Sequence, residues 1–128
     1  MKTVFYRCNI CGNIVVKVVN SGAPVSCCGE EMEELVPMKR DDGYEKHLPV
    51  VTHANENTVR VHVGSRDHPM MSEHYIQFIY LKTERGGQLA YLFPSDPPEA
   101  VFCVRHDKPV GVFIFCNIHG LWYDKCQC

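Results

Sequence analysis

The chain has 128 residues, with 8 Cys, 7 His, and 13 Lys and Arg against 15 Asp and Glu. Its composition, 45% hydrophobic and 22% charged, is that of a folded protein, and a net charge of −2 argues against a nucleic-acid partner. The longest apolar run, Val110 to Cys116, is too short to span a bilayer, and Arg7 and Cys8 fall where a signal peptide needs an apolar stretch, so a cytoplasmic protein is expected.

In a reducing compartment eight Cys point to metal binding before disulfides. The first constellation is Cys8-x-x-Cys11, followed after fifteen residues by Cys27-Cys28. Four thiolates suit tetrahedral zinc or a single iron. Gly12 permits a tight turn behind the first pair. The second pair is adjacent, unlike a zinc ribbon, so a distorted tetrahedron is expected. A zinc knuckle that only staples a small module satisfies the same spacing. A turn-rich stretch at Lys39-Arg40-Asp41-Asp42-Gly43 places the boundary between two domains, 1–37 and 38–128. The front piece is too short to bury a sizeable core; the rear piece is long enough to fold by itself.

The rear piece reads as strands. Val59-Arg60-Val61-His62-Val63 alternates apolar and polar residues, as a half-buried strand does. Tyr75 to Leu81, Gln88 to Phe93, Ala100 to Val104 and Val110 to Cys116 follow, rich in aromatic and β-branched residues. Glu84-Arg85-Gly86-Gly87, Pro94 to Pro98 and His106 to Pro109 are turn chemistry. No 3.6-residue periodicity is sustained. An all-β chain is expected, its rear domain an antiparallel sandwich. Its His47, His68 and His74 and its Cys116-Asn117-Ile118-His119-Gly120 are weak signals one by one, since a lone His is usually a surface or core residue. Pro69 biases His68 to an extended backbone, so the segment from His68 to His74 is expected to be a loop.

Tyr6-Arg7-Cys8-Asn9-Ile10-Cys11-Gly12-Asn13 with Cys27-Cys28-Gly29 resembles desulforedoxin and the front module of desulfoferrodoxins. Glu45-Lys46-His47, His68-Pro69-Met70, Glu73-His74-Tyr75 and Cys116-Asn117-Ile118-His119-Gly120-Leu121-Trp122 resemble the catalytic domain of superoxide reductase. From Tyr6 to Trp122 the chain is similar to the two-iron desulfoferrodoxin family. That resemblance implies one iron on Cys8, Cys11, Cys27 and Cys28. It implies a second on His47, His68, His74 and His119 as equatorial imidazoles, with Cys116 as axial thiolate, in an immunoglobulin-like sandwich. It further implies one-electron reduction of superoxide to hydrogen peroxide without dioxygen release. Lys46 would supply positive charge that steers the anionic substrate and orients a water as proton source, and Glu45 a sixth ligand in the oxidised resting state. A rubredoxin-like electron donor, a homodimer and detoxification in an anaerobic or microaerophilic cell are implied as well. The alternatives are a rubredoxin-type electron carrier without catalysis and a zinc-stapled binding module. Five non-tetrahedral ligands speak against zinc in the rear site.

His53, His62 and His106 are expected at the surface. Cys103, sharing a strand face with Val101, is expected as a small buried hydrophobe. Met70 and Met71 are expected to pack around the site, and Trp122 and Tyr123 to cover core, where an aromatic near the metal could limit solvent access. Cys126-Gln127-Cys128 departs from the family pattern; a frayed terminus is the plain reading, adventitious oxidation or metal capture the next, and an extra redox pair stays open.

Overall fold

The structure is a computed structural model that describes residues 2–39 and 47–126. The chain divides into two compact units, 1–36 and 37–128. Among the described residues there is no helix, and every pairing of strands is antiparallel.

Unit 1–36 holds β1 (Phe5–Arg7), β2 (Ile14–Val16), β3 (Ser26–Cys27), β4 (Glu30–Glu31) and β5 (Glu33–Leu35). The order β2-β1-β5 makes one small sheet and β3-β4 a second. Strands of two or three residues carry no readable alternation, which is why none was foreseen. Val4, Phe5, Cys8 and Met32 are the buried apolar side chains described here.

Unit 37–128 holds β6 (Pro49–Asn55), β7 (Thr58–Val63), β8 (Ile76–Thr83), β9 (Gly86–Tyr91), β10 (Glu99–Cys103), β11 (Pro109–Cys116) and β12 (Gly120–Lys125). They form a three-stranded sheet, β10-β7-β6, and a four-stranded sheet, β12-β11-β8-β9. Val59, Val61 and Val63 from the first sheet share one core with Ile79, Leu81, Val112, Ile114, Cys116 and Trp122 from the second. The five expected strands form, and β6 and β12 are additional. Most of β6 is exposed or half-buried and lies at a sheet edge, so its apolar signal is weak. Strand β11 reads as an uninterrupted apolar run because both of its faces are covered. Val112, Ile114 and Cys116 face the core, and Phe113 and Phe115 lie under Tyr80, Tyr123 and Phe78.

Several expectations change. The β8–β9 turn narrows to Glu84-Arg85, and Gly86 and Gly87 join β9. Cys103 is exposed: it does share a face with Val101, but that face points to solvent while Phe102 and Val104 enter the core. Cys126 is not frayed, since it packs against the core and its N–H donates to the Val110 carbonyl at 3.0 Å. Cys128 lies outside the described residues. His53 and His106 are exposed; His62 is half-buried, bonded to Asp67 and to the Gly64 carbonyl.

Candidate metal centres

Among the described residues, two groups of side chains could each hold a metal ion. The first is Cys8, Cys11, Cys27 and Cys28. Cys8 directly follows β1 and Cys11 lies in the turn behind it, where Gly12 takes a left-handed φ of 84°. The Cys11 N–H donates to the Cys8 sulfur at 3.5 Å. The adjacency of Cys27 and Cys28 is absorbed by the backbone, with Cys28 itself at φ 54°. Sulfur–sulfur distances are 3.7 Å for Cys11–Cys27 and 3.9 Å for Cys27–Cys28. A regular tetrahedron with arms of about 2.3 Å has edges of about 3.8 Å. The distortion expected from adjacent ligands is absent from these two edges. Backbone N–H groups of Cys11 and Ile10 bring the Cys8 thiol down to about 6, whereas the neighbouring thiols, Cys11 first, push Cys28 up to about 12. Cys8 therefore favours the thiolate and Cys28 the thiol at neutral pH, and a cation would displace the Cys28 proton.

The second group gathers His47, His68, His74, Cys116 and His119, with one donor atom from each inside a span of 4.8 Å. His47 lies just ahead of β6, His68 and His74 come from the β7–β8 loop, Cys116 ends β11 and His119 sits in the β11–β12 turn. As expected, the segment from His68 to His74 is loop, apart from a single bridge between Met71 and His74. The imidazoles form a closed ring: His47–His68 at 4.7 Å, His68–His74 at 4.8 Å, His74–His119 at 5.1 Å and His119–His47 at 4.7 Å between centroids. Neighbouring planes are inclined by 63° to 82°.

The donor geometry suits one ion. His47 Nε2 and His119 Nδ1 lie 3.0 Å apart, and two nitrogens at a right angle about 2.1 Å from a common metal are separated by about 3.0 Å. His68 Nδ1 bonds the Pro69 carbonyl at 2.7 Å, which turns Nε2 to the cluster. Cys116 is fully buried, and burial raises its thiol; the N–H groups of His119 and Ile118 pull the other way. The His119 N–H lies 3.4 Å from its sulfur. A buried cation stabilises the thiolate that burial alone disfavours. Gly120, at φ 83°, turns the chain back into β12.

Two residues do more than the sequence implied. The Trp122 ring stacks on His47 at 4.7 Å and 8°, and its Nε1–H donates to the His119 carbonyl at 3.2 Å. Core cover was its expected role, with an aromatic near the metal able to limit solvent access. Asn117 bonds the backbone on either side of His74. A polar side chain placed between two ligand candidates was the only sequence signal of that role. Met70 does pack against the core, whereas Met71 is 53% exposed. Glu45 and Lys46 lie outside the described residues.

Residues 39–125 match the family model described as desulfoferrodoxin, and residues 2–35 match the desulfoferrodoxin N-terminal domain. A desulfoferrodoxin homolog from Methanothermobacter thermautotrophicus is 47% identical over 92% of this chain and 94% of its own length. A desulfoferrodoxin from Nitratidesulfovibrio vulgaris is 40% identical over 91% of each chain. The crystal structure of the superoxide reductase from Treponema pallidum is 32% identical, with a TM-score of 0.82 over 97% of this chain and 98% of that one.

Proposed function

The chain belongs to the desulfoferrodoxin family, and from that premise we propose which of its residues carry superoxide reduction in the two domains, 1–37 and 38–128. It is a superoxide reductase with two iron centres. The proposed catalytic ligands are His47, His68, His74 and His119 with Cys116, and Cys8, Cys11, Cys27 and Cys28 are the proposed ligands of the four-thiolate iron. The closed ring of four imidazoles beside one buried thiol carries this reading. Iron held by these five donors would supply the one electron that superoxide reduction needs, with a coordination position left for substrate.

The protein's own groups do the rest. The buried Cys116 sulfur would donate electron density to a bound metal, and the His119 N–H within its reach would temper that donation. Trp122 closes the His47 side of the site to water. Lys46, one residue before a ligand, draws the anionic substrate and holds a proton at Nζ. Glu45 would serve as a carboxylate ligand of the oxidised resting metal. Lys46→Ala is expected to slow the second-order reaction with superoxide about tenfold and to flatten its dependence on ionic strength, whereas Glu45→Ala changes that step little. An unchanged rate and salt slope in Lys46→Ala, measured by pulse radiolysis, would remove Lys46 from the mechanism.

The finer setting follows from the family resemblance. The electron comes from a small rubredoxin-like donor, and the protein serves detoxification as a cytoplasmic homodimer. The exposed Leu89, Tyr91 and Phe93 on and just after edge strand β9 support a second copy as partner. No helix is long and apolar enough to cross a membrane among the described residues.

A further inference from the structure

Three separate stretches of chain deliver the five proposed donors, so groups that are not ligands have to hold those stretches in register. Cys116 and His119 share one turn, and His47 is held by the Trp122 ring. His74 comes from a loop, and regular pairing of the neighbouring strands breaks down just where it is needed. The β8–β11 ladder runs through Ile79↔Ile114 and Phe78↔Phe115, then slips to Ile76↔Cys116.

Beyond that slip Asn117 takes over. Its backbone N–H donates to the Tyr75 carbonyl at 3.2 Å. Its side-chain Oδ1 accepts from the Tyr75 N–H at 2.9 Å, and its Nδ2 donates to the Glu73 carbonyl at 3.1 Å. The Glu73 carbonyl and the Tyr75 N–H belong to the two peptide groups that flank His74. The other two polar groups of those peptides, the His74 N–H and carbonyl, pair with Met71 at 3.0 Å and 2.9 Å. All four are therefore satisfied, which fixes the backbone angles of His74 and the direction of its side chain.

We propose that Asn117 is a positioning residue for superoxide reduction, its carboxamide standing in for a missing peptide group and locking His74 against the Cys116–His119 turn. This rests on the ligand set given above. The chemistry selects Asn: one planar group of this length must both donate and accept. Asp keeps the shape but sets a second acceptor against the Glu73 carbonyl, and Ser offers no carboxamide. Outer groups of this kind, when lost, cost a metal site about 10- to 100-fold in affinity or activity.

The test uses the full chain loaded with two equivalents of cobalt(II), because four-thiolate and imidazole–thiolate sites absorb at different wavelengths. EDTA is added, and loss of each band is timed in wild type, Asn117→Asp and Asn117→Ser. In both variants the rear site is expected to release cobalt at least about tenfold faster, with a shifted thiolate-to-cobalt band, while the front site keeps its wild-type rate. Rear-site release and absorption equal to wild type, whatever the melting temperature, would overturn the proposal and reduce Asn117 to a loop closer. If Asn117→Ser does not fold, the isosteric Asn117→Asp decides by the same criteria. A wild-type protein showing only the four-thiolate bands would instead overturn the rear ligand set.

Discussion

Trp122→Ala is expected to destabilise unit 37–128 by about 3–5 kcal/mol, the usual cost of truncating a large aromatic in a packed interior. Trp122 is 1% exposed and lies in the core that both sheets share. The side chain also touches two ligands, stacking on His47 and donating to the His119 carbonyl, so the rear metal should be lost in the same variant. Trp122→Phe separates the two contributions. It keeps a ring against His47 and removes the Nε1–H, for an expected loss of about 1 kcal/mol. Urea unfolding of the metal-free proteins measures the packing cost, and metal content after dialysis measures the hold on the ion. A Trp122→Ala variant within 1 kcal/mol of wild type, with its rear metal intact, would contradict this role.

Removing metal from unit 1–36 is expected to unfold it while the sandwich of unit 37–128 keeps its sheets. Four buried apolar side chains, Val4, Phe5, Cys8 and Met32, are described there, far short of a self-sufficient core. A structural metal site contributes about 10 kcal/mol or more, and that contribution is folding free energy. The dependence on pH has a definite sign. Cys8 sits near 6 and is already thiolate at neutral pH, whereas Cys28 near 12 carries a proton that the metal must displace. Metal affinity therefore decreases as the pH is lowered, and more steeply below about 6, where the Cys8 proton must be displaced as well. Amide dispersion in NMR, followed during chelation at several pH values, reads both effects. Dispersed front-unit resonances in metal-free protein would show that the small sheets fold without an ion.

The sequence was most legible where one physical constraint dominates. Val59 to Val63 alternates because one face of β7 meets the core and the other does not. The Cys8/Cys11 and Cys27/Cys28 spacing announces its site because four thiolates at tetrahedral range have few alternative uses. The rear ligands were legible only through family resemblance, since His47, His68, His74 and His119 stand far apart in sequence and the fold alone closes them into a ring. Alternation told that Cys103 shares a face with Val101, but not which face was inward; Phe102 and Val104 decided that. The contacts of Trp122 and Asn117 were beyond reach for another reason. Each depends on where a turn brings a distant backbone carbonyl or ring, and no local pattern encodes that.

The most direct measurement is a count. The protein is reduced without air and mixed with a known amount of superoxide, and iron oxidised, peroxide formed and dioxygen released are determined together. One rear iron oxidised for each superoxide, with one peroxide and no dioxygen, is the expected result. Sustained dioxygen release would contradict reduction as the reaction, and so would decay of superoxide at its spontaneous rate with the rear iron still ferrous.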